Sequence, residues 1–230
     1  MQEAAAPSAQ TSAAARVKKP QRKAVPRDTG RQRKPNAATD VQRERILAAA
    51  STLFAQQGYA NTTIAQIAQV LGATKPFVYY YFHDKQELFE TLSWAPTVAC
   101  FSVLDGAGND GRSAAEQVQQ ALGDLVRATI AHYPCAFFPY KEPQVYSAKY
   151  LAASKRVANR FYDQLCPLLE QARAEGDLQF EDTKITALAA CSLPGFLYTW
   201  YRPDGRLPPE DLAQLLTGLA MRVLGLQQER

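Results

Sequence analysis

The chain has 230 residues, 47% of them hydrophobic and 21% charged, with 14 Pro, 12 Gly, 4 Cys and a formal net charge of +4. That length and apolar fraction suit one or two globular domains and argue against wholesale disorder. No apolar run reaches the roughly 18 residues of a membrane-spanning helix, and no stretch near the N-terminus resembles a secretory apolar region. Charge is unevenly distributed. Residues 1–39 carry nine basic side chains against two acidic ones, a net of +7, whereas the remainder carries 17 against 20, a net of −3. Such asymmetry predicts a polyanionic partner, nucleic acid before a membrane surface. Cys100, Cys135, Cys166 and Cys191 are irregularly spaced without a C-x-x-C pair, so buried free thiols in a reducing compartment are the favoured reading.

Residues 1–39 contain four prolines, no aromatic residue and, after Met1, only Val17 and Val25 as large apolar side chains. They cannot bury enough surface to offset the entropy of ordering, and read as a disordered basic tail. The composition also fits a transit peptide, but the apolar face such a peptide needs is missing. From Asp40 the pattern changes. Ile46, Ala49, Ala50, Leu53 and Phe54 recur at helical spacing and predict an amphipathic helix ending near Gly58. Thr63 and Gln66 form a capping box for a second helix, whose inner face is Ile64, Ile67, Ala68 and Leu71 and whose stop is Gly72. Thr74 caps a third helix with Pro76 in its first turn, running to about Phe82. A fourth starts near Asp84 and passes Leu92, with Pro96 as an expected kink.

The remainder also reads as helical. Gly106–Gly111 predicts a loop, and Ser113 caps a helix to about Ile130. Tyr133–Pro143 is a Pro- and aromatic-rich bend, followed by a long helix over 145–175 that contains Pro167 and ends at Gly176. Asp182–Tyr201 predicts an apolar helix interrupted by Pro194, and a last helix starts near Pro209. No strand alternation or internal repeat stands out, so the fold class is all-α.

Two short helices around Leu71-Gly72-Ala73-Thr74 make a helix-turn-helix, the geometry that delivers a helix into the major groove of DNA. The spacing alone is a weak signal, but its surroundings carry more. The stretch from Arg43 to Leu88 resembles the DNA-binding domain of the TetR family of transcriptional regulators. The matching residues are Ile46 to Ala50, Leu53-Phe54, Gly58-Tyr59, Thr62-Thr63, Ile67-Ala68, Leu71-Gly72, Thr74 to Phe82 and Lys85 to Leu88. The resemblance implies a three-helix DNA-binding domain over 40–88. It also implies a larger helical domain over 89–230, about nine helices in all, that binds an effector and dimerises through its last two helices. Carried over by position, Thr63, Tyr79 and Lys85 match places that contact phosphates, whereas Thr74, Lys75, Phe77 and Tyr81 match places facing the groove. Val78 and Phe82 point inward. Successive helical residues lie about 100° apart, so Tyr79, Tyr80 and Tyr81 cannot all face DNA, and Tyr80 is expected to pack against the first helix. Ala65 and Pro76 depart from the family's commoner residues, the first removing one expected DNA contact.

For the effector, the aromatic residues Tyr133, Phe137, Phe138, Tyr146, Tyr150, Phe161 and Trp200 are candidate pocket walls for a hydrophobic or aromatic ligand, with packed core as the competing reading. Lys149, Lys155, Arg156 and Arg160 form either a solvated face or a cradle for an anion such as a coenzyme A phosphate. Leu212, Leu215, Leu216, Leu219, Val223 and Leu226 form one apolar stripe, and Ile185, Leu188, Ala189 and Phe196 another, as expected of a two-fold helical interface. The expected protein is a homodimeric regulator, a repressor released from a double-stranded DNA operator by a small effector. It is expected to be cytoplasmic, on the nucleoid when bound, with no membrane partner, cofactor or metal. The alternative is an architectural DNA-binding protein without an effector. An enzyme is disfavoured, because only His83 and His132 are present and no nucleophile, phosphate loop or metal-spaced cluster accompanies them.

Overall fold

A computed structural model describes residues 37–106 and 111–226. The expected basic tail falls outside the described residues apart from its last three positions, as does most of the Gly106–Gly111 loop. Among the described residues there are ten α-helical segments, two of them single turns, joined by turns and 3₁₀ pieces, and no strand. The all-α reading holds.

Four helices build the N-terminal part: α1 (Ala37–Asn61), α2 (Ile64–Val70), α3 (Lys75–Tyr81) and α4 (Lys85–Phe101). The first buries Ile46, Ala50 and Phe54 at helical spacing. Its regular course stops at Gly58, where φ 78 and ψ 171 place the backbone in a region open essentially to glycine alone. Thr63 and Gln66 close the capping box at the start of α2: the threonine hydroxyl accepts the Gln66 N–H at 3.2 Å, and Gln66 Oε1 accepts the Thr63 N–H at 2.8 Å. Gly72, at φ 63, then turns the chain into α3. Thr74 sits at the N-cap of α3 but makes no side-chain cap bond there, a departure from its expected role. Pro76 suits that first turn because the N–H it lacks would have had no helical partner. Asp84 caps α4 by accepting the Glu87 N–H at 2.7 Å, and the helix continues through Pro96 to Phe101 without a break.

The C-terminal part comprises α5 (Ala114–Ala131), α6 (Phe138–Lys141), α7 (Ala148–Glu175), α8 (Thr183–Ser192), α9 (Leu197–Trp200) and α10 (Pro209–Val223). Ser113 and Glu116 form a second capping box at α5. The predicted bend of 133–143 is a chain of short helical turns, because its prolines prevent any one helix from extending. The long helix starts at Ala148 with Ser147 as its cap, passes Pro167, and ends at Gly176 in the left-handed region. Leu122, Phe161, Leu165, Leu169 and Ala187 fill the core between α5, α7 and α8. A second cluster joins Val126, Phe137, Leu197, Leu212 and Leu216, so α10 lies along α5, with Arg127 and Glu210 paired across them at 2.9 Å.

Candidate DNA interface and ligand cavity

The face of α3 opposite the core is built by register. Val78 and Phe82, four residues apart, are fully buried against α1 and α2, which leaves Lys75, Pro76, Tyr79 and Tyr80 exposed. Tyr80, expected to pack on α1, is 62% exposed: it lies about 200° round the helix from Val78 and cannot reach the core. Phe77 and Tyr81 occupy one flank, half-buried and edge-on to each other at 5.3 Å. Arg43 of α1 fastens that end of α3, donating to the Tyr81 carbonyl at 3.2 Å and lying 4.2 Å over the Phe82 ring.

Thr63, Lys75, Tyr79 and Lys85 share the wall of one open surface hollow of about 400 Å³. Lys85 does more than face it. Its ammonium donates to the Tyr59 carbonyl at 2.7 Å and the Thr62 carbonyl at 2.8 Å, over the Tyr59 ring at 4.0 Å. Those bonds satisfy carbonyls around the end of α1, and one of the three ammonium donors remains for an anion. Burial holds the Lys85 pKa below the usual lysine value, while the nearby Glu142 carboxylate opposes the shift. The Thr63 hydroxyl donates to Gln66 Oε1 at 2.9 Å and so is already engaged. Thr74 is exposed at the start of α3.

A second feature lies between α4, α5, α7 and the short turns around α6: a cavity of about 300 Å³, at the small end of the range for ligand sites. Of the seven aromatic residues expected to line it, Tyr146 and Tyr150 do so. The other five are placed elsewhere. Phe137 and Phe161 are fully buried in the two C-terminal clusters, and Phe138 stacks on Phe89 of α4 at 4.9 Å in the N-terminal core. Tyr133 lies near the surface, edge-on to Phe137 and Tyr201, and Trp200 is 56% exposed. The wall also includes Pro96, Thr97 and Cys100 on one face of α4, Thr129 of α5, and Tyr140. The clustering of Pro139, Pro143 and Pro194, all of them at the wall, was the available signal: prolines stop helices from closing over a space.

The cavity wall is bonded to the DNA-binding part at several points. Tyr146 hydroxyl meets Ser93 Oγ at 2.7 Å, and Tyr150 hydroxyl meets Thr97 Oγ1 at 3.1 Å, both on α4. Gln86 donates to the Val145 carbonyl at 2.7 Å, and Glu90 accepts the Ser147 N–H at 2.6 Å. Burial raises the Tyr146 phenol above its ordinary value, so it is neutral and able to donate.

Comparison with known proteins places this architecture. Residues 46–92 match the family model for bacterial regulatory proteins of the tetR family, and residues 111–224 that for the tetracyclin repressor-like C-terminal domain, together well over half of the chain. The chain belongs to the TetR family of transcriptional regulators. Among curated TetR relatives, the regulator AcrR of Shigella flexneri is 37% identical over 60 residues, 26% of this chain and 28% of AcrR. The chain thus matches about a quarter of that relative's length. A TetR-family regulator from Rhodococcus RHA1 superposes with a TM-score of 0.72 at 22% identity, over 81% of this chain and 98% of that one. AibR, solved with isovaleryl coenzyme A and operator DNA, gives 0.65 at 20% identity over 78% and 98%. These likenesses establish the TetR fold.

One more surface of this TetR chain stands out. Ile185, Leu188, Ala189 and Phe196 are exposed on and just after α8, and Leu215, Leu219, Val223 and Leu226 on and just after the neighbouring α10. The expected stripe on α10 is therefore split: Leu212 and Leu216 are buried in the chain's own core, and the other four face outward. Among the described residues no helix is long and apolar enough to cross a membrane, and no cluster of side chains could hold a metal ion.

Proposed function

We propose that this TetR-family chain is a homodimeric, operator-binding repressor released by a small apolar effector. The observation that carries the reading is that Tyr146 and Tyr150 belong at once to the cavity wall and, through Ser93 and Thr97, to α4. An occupant that displaces either ring acts on α4, whose first residue, Lys85, holds the end of α1 beside the α3 hollow. The separation of two recognition helices in a dimer then changes, and with it the fit to half-sites one DNA turn apart. Lys75 and Tyr79 are proposed as the main DNA contacts, with Thr63, Thr74, Phe77, Tyr81 and Lys85 around them. Pairing is proposed through the exposed apolar faces of α8 and α10, since contiguous apolar surface is costly to leave in water. AibR, which shares the fold, binds an acyl thioester and operator DNA, which supports coupling of this kind.

The test is a salt titration of binding to the DNA upstream of the chain's own gene and to random DNA, with the full chain and with one lacking residues 1–36. Tight, sequence-selective binding that survives truncation is expected, with the salt dependence alone reduced. Equal affinity for both DNAs, lost on truncation, would replace the repressor reading with an architectural one. The presence of a preformed cavity favours the first.

A further inference from the structure

The hydrogen-bond inventory of the cavity wall restricts what its occupant carries. The hydroxyls of Thr97, Thr129 and Ser154 donate to the carbonyls of Ser93, Leu125 and Tyr150 at 2.8, 2.8 and 3.0 Å. Ser93 donates to the Phe89 carbonyl at 2.9 Å, so Tyr146, 2.7 Å away, must donate to Ser93. Thr97 is likewise committed, so Tyr150 donates to it. A hydroxyl has one proton, and each of these six has already placed it. Apart from thiols, two donors on the wall remain: the Tyr140 hydroxyl and the Lys155 ammonium. Neither has a hydrogen-bond or ion-pair partner among the described residues.

Charge points the same way. Lys155 is the sole charged residue on the wall, and no carboxylate faces it there. A cationic occupant would meet no counter-charge, whereas an anionic one would meet the exposed Lys155 ammonium. The neighbouring basic residues do not extend the site: Lys149 and Arg156 are not part of the wall, and Arg160 is paired with Asp105 at 3.0 Å. Of the two readings of this basic run, a solvated face or a cradle for an anion such as a coenzyme A phosphate, the cavity wall takes up Lys155 alone. A space of 300 Å³ equals about ten water volumes of ~30 Å³, which suits a body of about ten non-hydrogen atoms.

We infer that the cavity takes an apolar monocarboxylic acid of medium size, its carboxylate received by Lys155 and Tyr140 and its hydrocarbon body held among the prolines and tyrosine rings. This inference rests on the effector reading above and names the chemical class of the effector. The Lys155 contact is charge-assisted, and such bonds are stronger than those between neutral groups.

Calorimetric titration of the full chain with hexanoate, octanoate and phenylbutyrate, their primary amides, and octanoyl coenzyme A tests it, alongside operator release by each compound. Acids should bind about ten-fold more tightly than amides, and Lys155→Gln should abolish that preference while Lys155→Arg keeps it. Lys155 is exposed, so both variants should fold, checked by circular dichroism. Amides that bind and release operator as well as acids, or a preference untouched by Lys155→Gln, would overturn the carboxylate and leave the effector reading standing. Tighter binding of the coenzyme A ester than of octanoate, insensitive to Lys155, would overturn it in favour of a thioester. Failure of every acid, every amide and the coenzyme A ester to bind would overturn both.

Discussion

The carboxylate of Glu142 accepts the backbone N–H of Tyr59 at 3.1 Å, joining the turn beside the cavity to the end of α1 in the DNA-binding part. The bond exists because Gly58 leaves the helix just before it and turns that N–H outward. A Cβ on Gly58 would sit 3.1 Å from the same carboxylate oxygen.

Gly58→Ala should therefore be destabilising twice over, through its backbone conformation and through displacement of Glu142. The expected cost is about 2 kcal/mol, a fall in Tm of about 4–8 °C for a chain of this size. Thermal denaturation followed by circular dichroism would show it. An unchanged Tm would mean that the end of α1 is free to adopt another course.

Removing the two cavity phenols should separate stability from response. In the Tyr146→Phe, Tyr150→Phe double variant, Ser93 and Thr97 keep their own helix-carbonyl bonds, so folding should lose no more than about 1–2 kcal/mol. Operator affinity without effector should stay near the wild-type value, while the effector concentration needed for release rises about ten-fold. Release at the wild-type concentration would show that the link to α4 runs elsewhere.

On α3, Tyr80→Ala should leave stability within about 0.5 kcal/mol, since the ring is exposed. Lys75→Ala should lower operator affinity and, where the ammonium meets a phosphate, reduce the salt slope by about 0.9. Paired salt titrations and melts separate the two. A Tyr80→Ala variant that melts several degrees low would place that ring in the packing instead.

Asp84 gives a pH dependence. The Glu87 N–H, and then the His83 side chain, hold its carboxyl below the usual aspartate value. A depressed carboxyl contributes stability that is present above its unfolded pKa of about 3.9 and is lost as pH falls through the folded value. Asp84→Ala should cost about 1 kcal/mol at pH 7, and the gap to wild type should narrow steadily below about pH 4. Urea denaturation at pH 7 and pH 3 measures it. A gap of equal size at both would assign the effect to something other than the charged cap.

Local chemistry made much of this architecture legible. Thr63 with Gln66, Ser113 with Glu116, and Gly176 each mark a helix end through bonds between near neighbours, and each end lies where those residues put it. Val78 and Phe82 were readable because four-residue spacing defines a face. Tyr80 was misplaced although the same spacing held the answer: it lies about 200° round the helix from Val78, so an inward Val78 turns that ring outward. The cavity was harder. Whether Phe161 or Tyr150 reaches it depends on how α4, α5 and α7 cross, and both are apolar aromatic residues on the same helix. The small residues Thr97, Cys100 and Thr129 leave room where larger ones would fill it, and absence of bulk has little signature in a single sequence.

The pairing proposed for the bare apolar face on α8 and α10 has a genetic consequence, if it holds in solution. That face lies on elements separate from α3, so a copy with a ruined recognition helix would still pair with an intact partner. Each such mixed pair holds one working reading head and cannot grip both half-sites. Alleles damaged at Lys75 or Tyr79 should then be dominant over the wild type when co-expressed. Alleles damaged at Leu219 or Ile185 should be recessive, because their products never join the partnership.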